Sequence, residues 1–236
     1  IVNLASQERF VICKMPRQCG KTTTIVGIIL WHVLFNEDYS VAVLAHKLQQ
    51  SREILARIQL AYEHLPHWLQ QGIIEWNKGN VELENGSKIL ASATSSSAIR
   101  GGSFNLIYLD EFAFVPNNMQ EQFFNSVYPT ISSGKTSKII ITSTPNGMNL
   151  FYKLWTDSEE QRNSYKQIDV HWSDVPGRDE AWKLETIKNT SEEQFRQEFE
   201  CEFLGSSNTL IGSNKLKMLT YITPIQNSEF ISTYIN

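Results

Sequence analysis

The chain has 236 residues, of which 41% are hydrophobic and 19% are charged, and its formal net charge is −4. That composition is typical of an ordinary folded protein and excludes a disordered chain, a collagen-like repeat and a small disulfide-stapled scaffold. The longest apolar run, residues 25–34, is far shorter than the ~20 residues of a membrane-spanning helix, and three cysteines without a CxxC pair argue against structural zinc.

In the first two thirds of the chain, short β-branched runs alternate with helical patterns. Strands are predicted at residues 9–14, 40–45, 106–109 and 138–141, and helices at residues 22–35, 48–64 and 119–127. This alternation predicts an α/β fold with a mainly parallel central sheet flanked by helices. Two further strands flank Asn85-Gly86, which predicts an added antiparallel β-hairpin whose two turn residues both have positive φ.

The pattern changes after Pro145 and predicts a small, mainly helical C-terminal subdomain. A strand at residues 165–171 precedes helices at residues 179–189 and 191–204, the second with a Ser191–Gln194 capping box. The phenylalanines of that second helix, at positions 195, 199 and 203, fall on one face. We therefore expect an α/β subdomain, a packing subdomain and a linker, at residues 1–165, 166–205 and 206–236.

The charges do not form the basic stripe of a surface that holds nucleic acid through its phosphates. Residues 178–202 carry eight acidic and four basic side chains, and the two signs balance in the rest of the chain. The sequence therefore indicates no particular DNA-contacting surface. The chain also lacks an initiator Met, which indicates a piece of a longer protein.

The strongest motif, Met-Pro-Arg-Gln-Cys-Gly-Lys-Thr-Thr at residues 15–23, lies between the first predicted strand and a helix. We call it the phosphate loop, because backbone N–H groups and a helix N-terminus converge on phosphate oxygens in such Gly-Lys-Thr segments. Lys21 would neutralise the β- and γ-phosphates, and the Thr22 hydroxyl would ligate Mg²⁺. Met15 stands where the usual pattern has its first glycine. The candidate ATP-binding residues are Pro16, Arg17, Gln18, Cys19, Gly20, Lys21, Thr22 and Thr23.

A second motif consists of two adjacent carboxylates, Asp110 and Glu111, at the end of an apolar strand. Successive strand residues point to opposite sides, so the two acids can take different roles. Asp110 suits the Mg²⁺ site through a water, and Glu111 can polarise the water that attacks the γ-phosphate. Together with the phosphate loop, this pair predicts a nucleoside triphosphatase.

Hydroxyl side chains end another predicted core strand, at Thr142, Ser143 and Thr144. Ligands of open parallel sheets lie at that edge, so Thr142 or Ser143 could sense the γ-phosphate and relay its loss along the chain. A strand end that only caps the following turn is an equal alternative.

Two arginines are candidates for stabilising the charge on the transferring phosphoryl group. Arg100 precedes two glycines that let it move, and Arg17 lies inside the phosphate loop. An ion pair with a nearby acid is the alternative role for either arginine, and for Arg100 the two interpretations have equal weight.

Together, these segments resemble the large terminase subunit of tailed bacteriophages, the motor ATPase that packages DNA, and most closely its T-even-like myovirus type. The resemblance rests on Pro-Arg-Gln-x-Gly-Lys-Thr-Thr in the phosphate loop, Ile-Arg-Gly before the Asp-Glu pair, and Ile-Thr-Ser-Thr-Pro-Asn-Gly at residues 141–147. It extends to residues 44–47, 72–79 and 194–198, and so covers nearly the whole chain.

The resemblance implies a P-loop NTPase of the ASCE type that uses ATP and Mg²⁺. Arg17 is similar to the family's loop arginine, proposed as a finger in cis, and Arg100 matches a position proposed to act across a ring of subunits. The implied site residues are Lys21, Thr22 and Asp110 for ATP-Mg²⁺, Glu111, Arg17 and Arg100 for catalysis, and Thr142, Ser143 and Thr144 for coupling hydrolysis to movement.

The partners implied by the resemblance are double-stranded viral DNA, the capsid portal, a small terminase subunit and further copies of the chain in a ring, with no membrane. The implied location is the host bacterial cytoplasm and, transiently, the procapsid portal. The family's adenine-contacting segment precedes the phosphate loop, and its metal-dependent nuclease domain follows the region seen here. We therefore expect no nuclease activity from these residues.

Two other functions remain open from the sequence. The first motor domain of a nucleic-acid helicase has a similar phosphate loop and Asp-Glu strand, but it needs a second domain of similar size that supplies an arginine. A nucleotide-binding assembly scaffold with little turnover is the other alternative. Replacing Glu111 with glutamine would separate an enzyme, which loses hydrolysis, from a scaffold, which does not change.

Overall fold

A computed structural model of the chain describes residues 1–95, 99 and 102–205. Its helices are α1 (Val2–Gln7), α2 (Lys21–Phe35), α3 (Leu48–Glu63), α4 (Asn117–Ser133), α5 (Leu150–Glu159), α6 (Glu180–Asn189) and α7 (Glu192–Glu198). Its strands are β1 (Phe10–Lys14), β2 (Ser40–Ala45), β3 (Ile73–Trp76), β4 (Asn80–Leu83), β5 (Lys88–Ala93), β6 (Leu106–Asp110), β7 (Lys138–Ser143) and β8 (Lys166–Asp169). Short 3-10 helices lie at His67–Leu69, Phe112–Phe114 and Trp172–Asp174.

The strands form one sheet in the order β3-β4-β5-β2-β6-β7-β1-β8. The six strands β5, β2, β6, β7, β1 and β8 are all parallel to their neighbours in this order. The strands β3 and β4 extend the sheet beside β5 and are antiparallel. Because β7 lies between β1 and β6, the carboxyl ends of these three strands are adjacent. The register aligns Lys14 with Ser143 and Asp110 with Thr142. The sheet therefore brings the phosphate loop, the Asp-Glu pair and the hydroxyl motif to one edge.

Helices cover both faces of the sheet, as alternation along β1 illustrates. Val11 and Cys13 belong to the core layer under α2 and α3, whereas Ile12 belongs to the opposite layer under α4 and α5. All three side chains are fully buried, since a parallel strand with helices on both sides has no solvent-facing side. The predicted α/β class with a mainly parallel sheet is confirmed.

Apart from the 3-10 helices, three elements were not predicted from the sequence: α1, β3 and α5. β3 is an edge strand in which Ile73, Ile74 and Glu75 are all exposed, so its sequence has no alternation of buried and exposed positions. The helix predicted at residues 119–127 is longer than expected and includes Pro129. Intrinsic propensity misses α1 and α5 because tertiary contacts, and not local pattern, hold these helices in place.

The predicted hairpin forms between β4 and β5, but the expectation about its turn was wrong. Of the two turn residues, only Gly86 has positive φ, at 81°. Leu83 donates its N–H to Ser87 O at 2.9 Å and accepts from Gly86 N–H at 3.0 Å, which makes a three-residue loop. The Asn85 side chain instead donates to Val33 O at 2.8 Å and so ties this turn to α2.

The last helix, α7, is shorter than predicted. Ser191 caps it by accepting the Gln194 N–H at 3.1 Å, as expected, but the helix ends at Glu198 and not near Gly205. Cys201 has φ of 55°, and Glu202 N–H donates to Arg196 O at 2.9 Å, so the chain turns away there.

The three phenylalanines do not share a face, because of that turn. Phe195 and Phe199 pack against Trp182, with ring centroids 5.9 and 5.2 Å away. Phe203 packs instead on Phe151 and Tyr152, at 6.0 and 5.0 Å. The segment after α7 therefore lies against α5.

Residues 1–204 form one compact unit. β8, which lies just after the predicted subdomain boundary, hydrogen-bonds to β1 and so belongs to the sheet. The division into three segments stays a prediction, and the predicted linker at residues 206–236 lies outside the described residues. In the described part of the chain, no helix has the length and apolar character needed to cross a membrane.

Candidate nucleotide-binding site

The phosphate loop reverses the chain between the end of β1 and the start of α2. Gly20 has φ of 84°, in the left-handed region where side chains with a Cβ are strained. A Cβ at this position would meet no atom within 4 Å, so the backbone conformation, and not lack of space, requires glycine. Gln18 also has positive φ, at 56°.

The loop presents backbone N–H groups that have no acceptor. Within the described part of the chain, those of Gln18, Cys19 and Gly20 donate no hydrogen bond. The helix α2 begins its hydrogen bonding with Thr24 N–H to Gly20 O at 3.1 Å, which leaves the N–H groups of its first turn without intrahelical acceptors. Free N–H groups at the positive end of a helix dipole suit the oxygens of a phosphate chain.

Lys21 and Glu111 form an ion pair across this site. Lys21 Nζ contacts Glu111 Oε1, and the two side chains are only 9% and 17% exposed. Glu111 has φ of 50°, a left-handed conformation that costs on the order of 1–3 kcal/mol in a residue other than glycine. Its other oxygen, Oε2, is buried and has no hydrogen-bond partner among the described residues. A buried acceptor without a donor is a position for a water molecule.

Asp110 is buried beside this pair and is held by two hydroxyls. Tyr108 donates to Asp110 Oδ1 at 2.7 Å, and Thr142 donates to the same oxygen at 3.0 Å. Burial, followed by the charge of Asp110, raises the pKa of Tyr108 well above its usual value, so Tyr108 stays a donor. No hydrogen bond reaches Asp110 Oδ2 in the described part of the chain, which leaves this oxygen available to a metal-bound water.

The three hydroxyl residues at the end of β7 are all buried and have different partners. Thr142 donates to Asp110, and Ser143 accepts the Ala113 N–H at 3.1 Å and donates to Thr144 O at 2.7 Å. Thr144 donates to Glu198 Oε2 at 3.1 Å. The motif thus links the Asp-Glu strand to the end of α7 through side-chain hydrogen bonds.

Arg17 is the only one of the two candidate arginines in the described residues, because Arg100 lies outside them. Its guanidinium donates to both oxygens of Glu198, Nε to Oε2 at 2.7 Å and Nη2 to Oε1 at 3.2 Å. The hydrogen bond from Arg17 to Glu198 raises the pKa of Arg17. Arg178 donates from Nη2 to Arg17 O at 2.6 Å and stacks on Trp182. In this structure Arg17 is paired with an acid, as the alternative interpretation expected.

A family model described as terminase large subunit, T4likevirus-type, N-terminal, matches residues 12–218. The chain belongs to this family. The terminase large subunit of Thermus phage G20c is 27% identical over 253 residues, which cover 93% of this chain and 51% of that protein. The chain thus spans about half the length of that relative, and it spans 20% of the length of tripartite terminase subunit 3 of human cytomegalovirus.

Solved terminase structures share the fold. The large terminase ATPase domain of Thermus phage P74-26 superposes with a TM-score of 0.69 at 19% identity, covering 84% of this chain and 90% of that one. The large terminase of a thermophilic bacteriophage, solved in complex with ADP, has a TM-score of 0.67 at 12% identity and covers 84% and 49% of the two chains. At these identities the likeness establishes the fold.

The oxygen groups of this terminase chain fit a nucleotide with Mg²⁺. Thr22, half-buried in the first turn of α2, and Asp110, 7% exposed, carry hard oxygen atoms of the kind that Mg²⁺ prefers. Asp110 Oδ2 and Glu111 Oε2, which accept no hydrogen bond from the described residues, leave room for the waters that Mg²⁺ usually keeps.

Sequence reasoning missed three residues of this terminase site. In the sequence, Tyr108 has the pattern of an ordinary residue in an apolar strand. Arg178 lies in a polar segment that contains no motif. Glu198 lies within the family-like segment at residues 194–198, whose pattern indicates no role for it. Only the alternation of β6 carried a signal, since Tyr108 and Asp110 are two residues apart and share a face.

Proposed function

We propose that this chain is the ATPase motor part of a terminase large subunit, which hydrolyses ATP to move double-stranded viral DNA into a procapsid. The observation that carries the proposal is the contact between Lys21, at the start of α2, and Glu111, just after β6. It joins a phosphate-loop lysine to a carboxylate with one unpaired buried oxygen. The family match and the ADP-bound phage terminase, which has the same fold, support nucleotide as the ligand.

The binding roles follow from charge and position. The phosphate loop, residues 16–23, holds the phosphates through its N–H groups, and Lys21 exchanges its contact with Glu111 for the β- and γ-phosphates. Thr22 and Asp110 are the residues that would hold Mg²⁺. When bound, this ion would supply positive charge that neutralises the phosphates.

The catalytic role belongs to Glu111. Once Lys21 contacts phosphate, both Glu111 oxygens are free to accept from a water molecule. Glu111 takes a proton from that water, whose oxygen attacks the γ-phosphorus while the bond to the ADP oxygen breaks. Arg17 or Arg100 stabilises the charge of the transferring group, and Thr142, Ser143 and Thr144 transmit its loss to the rest of the chain.

The wider role rests on the family. We propose that several copies of the full-length protein act as a ring on the capsid portal in the host bacterial cytoplasm, together with a small terminase subunit. The helicase alternative has no supporting observation in the described residues, because no second motor domain is present among them. The scaffold alternative is an outcome of the experiment below.

The test is binding and hydrolysis of ATP by the chain and by Glu111→Gln, with Mg²⁺ present. The proposal predicts that the variant binds ATP but hydrolyses it at least about a hundredfold more slowly, because it lacks the base. Glu121→Gln, an exposed position on α4, is the matched control and should match the wild type. Equal hydrolysis by Glu111→Gln and the wild type would contradict the catalytic role, and binding without hydrolysis in all three proteins would favour a scaffold.

A further inference from the structure

The 3-10 helix that follows Glu111 is held by a buried side-chain amide. Gln120, on α4, is completely buried, and its Nε2 donates to Phe112 O at 3.1 Å and to Val115 O at 2.7 Å. Its Oε1 accepts the Leu150 N–H at 3.0 Å, at the start of α5. Both N–H groups and the oxygen of this amide are therefore in use, and they join α4, the 3-10 helix and α5 at one point.

Two further side chains bind the middle of the same 3-10 helix, at Ala113. Asn149, the N-cap residue of α5, donates from Nδ2 to Ala113 O at 2.7 Å. Ser143, at the end of β7, accepts the Ala113 N–H at 3.1 Å. Asn149 is only 9% exposed and Ser143 is completely buried. The backbone just after Glu111 is thus fixed by α4, β7 and the start of α5 together.

These hydrogen bonds explain how Glu111 keeps its strained backbone. Its φ of 50° is a conformation that persists in a residue other than glycine only where the surrounding structure imposes it. Lys21 contacts the Glu111 carboxylate, but in the proposed function Lys21 moves to the phosphates of the nucleotide. From then on, the hydrogen bonds to the residues that follow Glu111 must keep its backbone from relaxing.

We propose that Gln120 and Asn149 are positioning residues for the catalytic carboxylate. They hold the 3-10 helix, and through it Glu111, in the conformation that presents the carboxylate to the attacking water after Lys21 has left. The inference rests on the proposed function, because that function makes Glu111 the base. The side-chain hydrogen bonds of Gln120 and Asn149 do not reach the phosphate loop, so these residues should act on the rate of hydrolysis and not on nucleotide binding.

The test measures kcat and KM for ATP hydrolysis, and the affinity for ATPγS by isothermal titration calorimetry, in the wild type and in Gln120→Met. Methionine has nearly the length of glutamine but no amide to bind the two carbonyls. We expect kcat to fall about five- to fiftyfold, because Glu111 relaxes out of its strained conformation, with KM and ATPγS affinity unchanged. Gln122→Met, at an exposed position of the same helix, is the matched control and should keep the wild-type kcat.

A double variant separates positioning from general damage to the fold. Because Gln120 acts through Glu111, adding Gln120→Met to Glu111→Gln should lower kcat further by less than about twofold. A further loss as large as that of Gln120→Met alone would overturn the inference, since it would show that Gln120 does not act through Glu111.

A folded Gln120→Met protein with the wild-type kcat, or with a raised KM and an unchanged kcat, would also overturn the inference. If Gln120→Met does not fold, Asn149→Ser takes its place, because serine keeps an N-cap acceptor for α5 but has no Nδ2 to donate to Ala113 O. Its kcat should fall with ATPγS affinity unchanged, and a wild-type kcat would overturn the inference. Hydrolysis by Glu111→Gln at the wild-type rate would instead contradict the proposed function, so the two failures are distinguishable.

Discussion

Tyr108 and Thr142, on the neighbouring strands β6 and β7, donate hydrogen bonds to the same oxygen of Asp110, and their hydroxyl oxygens are 2.9 Å apart. All three side chains are buried. The arrangement fixes the Asp110 carboxylate and leaves its other oxygen without a hydrogen bond from the described residues. It also joins the Asp-Glu strand to the strand that carries the hydroxyl motif.

Replacing Tyr108 with phenylalanine removes one of the two hydroxyl donors. We expect the free energy of unfolding to fall by about 1–2 kcal/mol, because a buried carboxylate oxygen loses a hydrogen bond that water cannot replace. Urea denaturation followed by circular dichroism measures this change. Tyr128→Phe, at a position that is 47% exposed, is the control and should change stability by less than about 0.5 kcal/mol. Equal effects of the two substitutions would show that the Tyr108 hydroxyl contributes nothing.

Replacing Phe195 with alanine tests whether α6 and α7 are packed as described. Phe195 is fully buried, and its ring lies 5.7 Å from Trp172 and 5.3 Å from Phe199. We expect a loss of about 3–5 kcal/mol in unfolding free energy. Leu184→Ala, at a position of α6 that is 68% exposed, should cost little. A Phe195 variant as stable as the wild type would mean that this cluster is not part of the cooperative fold.

The three cysteines should differ sharply in reactivity. Burial raises the pKa of Cys13 and of Cys201 to about 12, so both remain protonated thiols at every pH up to well above 9, and neither is exposed. Cys19 is partly exposed in the phosphate loop. Titration with a thiol reagent at pH 8 should therefore modify one cysteine in the folded chain and three in denaturant, and ATP-Mg²⁺ should slow the first reaction. Rapid modification of all three without denaturant would contradict the burial.

The main architecture could be predicted because it depends on patterns within short segments. The runs that became β1, β2, β6 and β7 are apolar on both sides, and parallel order follows from their alternation with helices. Their polar ends identify the site, since Asp110 and Thr142 lie at the ends of β6 and β7 and the phosphate loop with Lys21 follows β1. The contact between Lys21 and Glu111 is a direct consequence of this topology.

The rest depended on contacts that no local pattern encodes. Arg17 and Glu198 are separated by most of the chain, and their pairing requires α7 to lie beside the phosphate loop. The turn after α7 comes from Cys201 in a left-handed conformation, which sequence does not indicate for cysteine. The edge strand β3 could not be predicted for a different reason. Its side chains are mostly exposed, so its sequence shows no alternation of apolar and polar residues.

ATP hydrolysis at the phosphate loop can be measured directly as phosphate release by the purified chain. The rate should be followed over a range of protein concentrations for the wild type, for Lys21→Ala, and for Lys188→Ala, an exposed lysine on α6. The wild type and Lys188→Ala should turn over ATP equally, and Lys21→Ala should not exceed the rate without protein. Turnover per chain that rises with concentration would favour Arg100 from a neighbouring copy, and constant turnover would favour Arg17. Hydrolysis by Lys21→Ala at the wild-type rate, or none by the wild type, would contradict an ATPase site at this loop.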